Sequence, residues 1–238
     1  MSEHSKSQIS PADNTVRTGT TYEFAVTWDY RCPFARNANE HLVRALQGGA
    51  PWKVTFVPFS LSQSHVEEGD PDVWDSFSEE GGLLANEFGL AVMRVDPDKF
   101  LDAHLALFAA RHDESMDLRD SDVLARCVES VGVDPQAVLA EIANGEIRDI
   151  FRKSHELSVS QFDVFGVPTF IVGYNEWDLP SFGSSGAAPA CTTDAVFARL
   201  MTRPDDGHQN SRETIEQVLA LLVGSPELNE FKHTKIPF

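Results

Sequence analysis

Cysteine is scarce in this chain: three residues, at positions 32, 127 and 191, in 238. An odd, widely spaced set does not make a disulfide scaffold, and it fits a compartment where thiols stay reduced. Positive charge is scarce too, with 19 Lys+Arg against 37 Asp+Glu and a formal net charge of -18. That balance repels phosphates, so neither nucleic acid nor an anionic membrane surface is expected as a partner. The acidic residues are dispersed and read as a well-solvated surface. No apolar run approaches the length of a membrane span. The first twenty residues, MSEHSKSQISPADNTVRTGT, lack the apolar core of a signal peptide. They are expected to form a disordered polar tail over 1–20, and the protein is expected to be cytoplasmic.

Motifs for other chemistries are missing as well. The eight histidines show no metal-ligand spacing. The stretch Asp113–Asp122 superficially resembles a calcium loop. It carries Leu118 where the sharp-turn glycine belongs and Leu124 where the bidentate glutamate belongs. No glycine-rich phosphate loop appears, so no nucleotide cofactor is implied. What remains is an ordinary globular composition, 42% hydrophobic, enough to bury a real core.

The residue pattern orders the chain as strand, helix, strand, helical block, strand, strand and closing helices. Tyr22–Trp28 alternates as a strand, with Tyr22, Phe24 and Val26 on one side. Phe34, Ala38, Leu42 and Ala45 recur at helical spacing up to the Gly48-Gly49 breaker. Trp52–Leu61 is a second strand, and the unit predicts a right-handed crossover. Helices are then predicted over Asp72–Phe88, Pro97–Arg111, Ser121–Val131, Pro135–Ala143 and Glu146–Leu157. Asp96 and Asp134 each precede a proline, as an acidic N-cap followed by proline at the first helical position. Pro168–Val172 is a third strand, hairpinned to Trp177–Leu179. Pro180–Pro189 reads as a loop, and Thr193–Met201 and Arg212–Val223 as closing helices.

The chemistry concentrates in WDYRCPFAR, residues 28–36. Cys32 falls on the last residue before a helix, where unpaired backbone N–H groups and the macrodipole favour a thiolate. Arg31 is adjacent and Arg36 lies one turn on, each a source of positive potential. Pro33 preorganises the first turn. The competing reading is a buried cysteine acting as a small hydrophobe. A second signal is Phe165-Gly166-Val167-Pro168-Thr169-Phe170. Its Gly-hydrophobe-Pro-Thr step suggests a cis peptide bond facing the cysteine, with an ordinary trans proline at a strand start as the alternative. Cys127 lies on an apolar helical stripe and reads as core. Cys191 follows a flexible loop and is a candidate distant resolver of Cys32.

The two signals together resemble the DsbA-family branch of the thioredoxin superfamily. The strand–Cys-Pro-x-x–helix at Cys32–Ala35, the long helical insertion and SHELSVSQFDVFGVPTFIVG carry the resemblance. The form without a signal segment is similar to FrnE-like and mycothiol-dependent oxidoreductases. It is also similar to kappa-class glutathione transferases and hydroxychromene-carboxylate isomerases. The resemblance implies an α/β, thioredoxin-like fold with a large helical insertion between the second and third strands. Residues 21–62 and 163–238 would form the thioredoxin-like domain and 63–162 the inserted helical subdomain. Cys32 would be the nucleophile and Pro168 the cis-proline. Trp28, Arg31, Pro33, Phe34, Ala35, Val167, Pro168 and Thr169 would bind a thiol or substrate.

Ala35 stands where dithiol members carry their second cysteine, so a Cys-x-x-Cys disulfide cannot form. A lone thiolate can still attack a disulfide or an electrophile, with release by a second thiol from solution. The expectation is a monothiol thiol-disulfide oxidoreductase with no tightly bound cofactor. A low-molecular-weight thiol, glutathione or mycothiol, would be the cosubstrate, a disulfide or electrophile the substrate, and a homodimer is compatible with it. The alternatives are a glutathione- or mycothiol-dependent transferase or isomerase, and a non-catalytic thioredoxin-fold binding module.

Overall fold

In the computed structural model, residues 22–74, 82–174, 176–183, 193–205 and 210–224 are described. Five strands form one mixed sheet: β1 (Tyr22–Trp28), β2 (Trp52–Pro58), β3 (Thr169–Val172), β4 (Ser181–Gly183) and β5 (Asp194–Phe197). Their order across the sheet is β4-β2-β1-β3-β5. β1 and β2 run parallel, in register from Tyr22 opposite Trp52 to Trp28 opposite Pro58. A parallel neighbour needs a crossover, and helix α1 (Pro33–Gln47) supplies it. The three remaining pairings are antiparallel, and β3 places Phe24 opposite Val172 and Thr169 opposite Phe197.

Between β2 and β3 the chain forms α2 (Leu83–Val95), α3 (Phe100–His112), α4 (Ser121–Ser130), α5 (Pro135–Ala143) and α6 (Glu146–Phe162), and α7 (Ser211–Gly224) closes the described chain. This is a thioredoxin-like α/β fold with its helical insertion between the second and third strands. Trp28, Phe56, Phe100, Tyr30 and Phe108 are fully buried where that insertion meets the sheet. Their rings meet edge-on or tilted around His104, at centroid distances of 4.9–5.3 Å. Such aromatic pairs each add about 0.5–1.5 kcal/mol beyond their buried area.

Five elements differ from the sequence expectation. The span Thr193–Met201 holds a strand, not a helix: Asp194–Phe197 completes the open edge of β3, and that pairing overrides a short, ambiguous apolar run. With that edge filled, Trp177–Leu179 is not a strand. Trp177 is instead 8% exposed, packed on Phe162 and Tyr174 at 5.7 and 5.3 Å. The short strand lies at Ser181–Gly183, within the span read as a loop, and pairs with β2. In the predicted Asp72–Phe88 helix, residues 75–81 lie outside the described ones. The helix that is present starts at Leu83, after Gly82 at φ 103, a left-handed conformation that glycine adopts freely. Asp134 caps α5 through the Gln136 N–H. Asp96 makes no such cap, and Pro97–Lys99 forms a 3₁₀ turn before α3 begins. The expected tail over 1–20, most of the Pro180–Pro189 loop and Cys191 also lie outside the described residues.

Candidate active site

The strand-to-helix turn at residues 29–33 sets Cys32 in place. The Cys32 N–H bonds back to the Asp29 carbonyl at 3.0 Å, and the Cys32 carbonyl accepts the first helical bond from Arg36 at 3.0 Å. Cys32 is thus the N-cap residue of α1, with φ -88 and ψ 118. Proline next in line costs no hydrogen bond, because the first-turn N–H groups have no helical partner. One of those free donors, the Ala35 N–H, points at Cys32 Sγ at 3.4 Å. On its other side the thiol donates to the Val167 carbonyl at 3.3 Å, and the Val167–Pro168 peptide is cis. Thr169 fixes that corner by donating its N–H to Thr27 Oγ1 at 2.9 Å and its hydroxyl to the Gly166 carbonyl at 2.8 Å.

The turn before the cysteine is held from beneath. Asp29, 1% exposed, accepts from the Leu61 and Arg31 N–H groups at 2.9 Å each, tying the turn to the end of β2. Tyr30 donates its N–H to Asn86 at 3.4 Å and accepts from His112 Nε2 at its carbonyl at 2.9 Å. The Tyr30 hydroxyl lies 2.7 Å from His104 Nδ1, and His104 Nε2 lies 3.1 Å from Asn39 Oδ1. Asn39 already donates its amide nitrogen to the Ala35 carbonyl at 2.7 Å. Its oxygen must therefore accept, which puts the His104 proton on Nε2 and makes Tyr30 the donor to Nδ1. Burial holds this histidine neutral, its pKa lowered to about 3. The chain of donors links the turn, α3 and the first turn of α1 without a formal charge.

Electrostatics around the sulfur run against the sequence expectation of a readily formed thiolate. The helix N-terminus does support negative charge, through the Ala35 and Phe34 backbone N–H groups. Burial outweighs them, and the Asp29 carboxylate adds to the rise, so the Cys32 thiol titrates above the ordinary cysteine range. An S–H aimed at a carbonyl oxygen also favours the protonated form. Cys32 keeps 8% exposure, a narrow window.

The expected arginines do not supply the positive potential. Arg31 folds onto Asp29 at 3.1 Å, which neutralises it locally. Arg36 pairs with Glu40 at 2.8 Å and with Asp113. The cation that acts on the thiol is Arg199. Its guanidinium carbon lies 5.4 Å from the Phe34 ring centroid and 5.2 Å from that of Phe197. Trp28, expected to line the site, is fully buried among Tyr30, Phe100 and His104 and presents nothing to a ligand. Pro33, Phe34, Ala35, Val167 and Pro168 do gather around Cys32, while Thr169 is 3% exposed and acts as a buried tether. A surface cavity of about 720 Å³ lined by Arg31, Leu61, Ser62, His65, Val66 and Val73 includes neither Cys32 nor Pro168.

Arg199 and Phe197 are not legible as site residues because Thr193–Met201 reads as a helix in the sequence. Phe165 is overshadowed by the glycine–proline step beside it, which carries the stronger local signal. The short apolar run Ala195-Val196-Phe197, ending in β-branched and aromatic residues, is the available signal. Among the described residues, Cys32 and Cys127 are both free thiols.

Compared with known proteins, residues 25–187 match the DSBA-like thioredoxin domain. The chain belongs to that family. The Bacillus subtilis (strain 168) protein YwbO, uncharacterized, is 24% identical, the match covering 64% of this chain and 88% of YwbO. Among solved structures, a Nitrosomonas europaea protein described as a candidate protein disulfide isomerase is similar, with a TM-score of 0.55 and 12% identity. That match covers 83% of this chain and 97% of the other. The N. meningitidis oxidoreductase NmDsbA1 gives a TM-score of 0.50 and 17% identity, covering 86% and 84%. At these identities the two structures speak for the DSBA-like fold alone.

Proposed function

We propose that this DSBA-family protein is a monothiol thiol-disulfide oxidoreductase, with Cys32 as nucleophile and a low-molecular-weight thiol as the resolving partner. The observation that carries the reading is Sγ at the N-cap of α1, between the Ala35 N–H at 3.4 Å and the Val167 carbonyl at 3.3 Å. Three residues on, Ala35 offers no second sulfur. In the resting site the thiol is protonated and bonded to Val167. A ligand that donates its own N–H to the Val167 carbonyl takes over that acceptor and frees the sulfur. The Ala35 and Phe34 N–H groups then favour the thiolate. Attack forms a bond from Sγ to one sulfur of the incoming disulfide and breaks the S–S bond, expelling the other sulfur as a thiolate that solvent protonates. A second small thiol attacks the mixed disulfide and regenerates Cys32. This cycle suits a compartment rich in reducing thiol, and the cytoplasm is the setting we propose.

Intact-mass measurement after incubation with oxidised glutathione tests this. One glutathionyl adduct is expected on the wild type, removed by added thiol, and none at that site in Cys32→Ser. Equal modification of Cys32→Ser, or loss of the adduct without external thiol, would sink the proposal. The protonated resting sulfur also favours a second reading, a thiol-dependent transferase or isomerase in which Cys32 only donates a hydrogen bond. A Cys32→Ser protein that keeps full turnover on an electrophile would select it.

A further inference from the structure

The segment after β5 is built to hold one side chain over the rim of the Cys32 site. The Ala198 N–H bonds to the Pro168 carbonyl at 3.2 Å, and Asn37 of α1 donates to the Leu200 carbonyl at 2.8 Å. Arg199 lies between these two anchors, so its backbone is fixed on both sides of the Cα. Its guanidinium stands over Phe34 and Phe197, and Phe34 is two residues from Cys32. Among the described residues no carboxylate pairs with Arg199, although acidic residues outnumber basic ones by 37 to 19. Other arginines near the site, Arg31, Arg36 and Arg203, all have carboxylate partners. The platform continues outward through Phe165, 70% exposed and 5.0 Å from Phe197. The Phe197 ring also closes over Gly166, where an added Cβ would lie 3.4 Å from it.

We propose that Arg199 is the anion receptor of this site, taking a carboxylate of a small-molecule disulfide seated on Phe34, Phe197 and Phe165 while one of its sulfurs meets Cys32. The inference rests on the monothiol reading and adds the substrate class: a disulfide bearing a carboxylate. A guanidinium held over ring faces keeps its edge N–H groups free for such a ligand. Elsewhere the strongly acidic surface repels it, so this receptor orients the ligand as well as holding it. The exchange is the balanced one above, with a bond formed at Sγ, the ligand S–S bond broken and the departing thiolate protonated by solvent.

The test compares rates of adduct formation at Cys32 with oxidised glutathione, which carries carboxylates, and with the neutral bis(2-hydroxyethyl) disulfide. In Arg199→Gln the glutathione rate should fall roughly fivefold more than the neutral-disulfide rate, the scale of one partly exposed charge-assisted contact. Arg199→Lys should recover part of that excess. Added salt should narrow the gap in glutathione rate between wild type and Arg199→Gln, because the general repulsion is common to both proteins and only the Arg199 contact differs. An equal loss with both disulfides in Arg199→Gln would overturn the receptor, leaving Arg199 an influence on the thiol alone. A wild-type to Arg199→Gln rate ratio for glutathione that stays constant across the salt range would overturn it too. Failure of every disulfide to label wild-type Cys32 would overturn the monothiol reading itself.

Discussion

On the inner side of Cys32, Asp29 and Tyr30 are 1% exposed or less, and their polar atoms meet partners from the segment after β2, from α2 and from α3. On the outer side, Phe165 is 70% exposed, and Arg199 rests on ring faces. The inner wall spends buried hydrogen bonds to fix where the sulfur sits. The outer wall leaves apolar and cationic surface unsatisfied, the arrangement expected where a ligand completes it. Damage to the inner wall should therefore read out as stability, and damage to the outer wall as rate.

Acid should break the inner wall most severely. Burial lowers His104 to about 3 and His155, which accepts the Ser60 N–H, to about 4, against an ordinary 6.5. Because the folded values are depressed, the stability they confer is complete above pH 6.5 and is lost as pH falls toward 4 and then 3. At these two groups the unfolded chain binds up to two more protons in that window, so their share of the unfolding free energy should drop by about 2–3 kcal/mol per pH unit. Urea unfolding from pH 7 to 5 measures it. His41 and His112, also lowered by burial, act in the same direction, so His155→Phe should reduce the slope by somewhat less than half. A flat profile over that range would mean the two imidazoles are not held neutral.

Gly89 offers a smaller and more local break. A Cβ there would come 2.5 Å from the Tyr30 hydroxyl and 3.2 Å from its ring. Alanine normally stabilises a helix interior by up to about 1 kcal/mol over glycine. Here Gly89→Ala should instead destabilise by about 2 kcal/mol, because a packed ring must shift and leave His104 Nδ1 without its donor. Combining it with Tyr30→Phe, which removes the closest atom, should make the cost less than additive in urea titrations. Additivity would show that Tyr30 moves aside freely and that the inner wall is looser than its hydrogen bonds suggest.

The same division explains which parts of the molecule the sequence disclosed. The parallel β1–α1–β2 unit follows from local rules: alternation in Tyr22–Trp28, Cys32 and Pro33 opening α1, glycines closing it. Cys32 and the Val167–Pro168 step were visible because each is a local signature. What sequence concealed was set by partners far along the chain. β5 is a strand only because β3 leaves an edge open, and that pairing carries Arg199 to a cysteine 167 positions earlier. Thiol ionisation is concealed for a related reason. The helix N-terminus is legible in Cys-Pro, whereas the burial that outweighs it comes from Val167 and the neighbouring packing. Arg31 and Arg36 read as free cations because only the fold brings Asp29 back onto Arg31 and Asp113 onto Arg36.

The smallest structural effect should come with a clear kinetic one, at Phe165. Its ring is mostly in solvent and touches Phe197 on one side, so Phe165→Ser should change stability by no more than about 0.5 kcal/mol. If the ring forms the outer lip of a ligand seat, burying half of it under an aromatic disulfide contributes about 1 kcal/mol, or roughly fivefold in encounter affinity. The comparison to make is 5,5′-dithiobis(2-nitrobenzoate), aromatic and anionic, against bis(2-hydroxyethyl) disulfide, with the rate at Cys32 followed for each. Phe165→Ser should slow the aromatic reagent selectively, and Arg199→Gln should slow it further still. A Phe165→Ser protein that loses several kcal/mol of stability while keeping both rates would show that the exposed ring shields Phe197 and the Gly166 corner. In that case the outer wall would be as structural as the inner one.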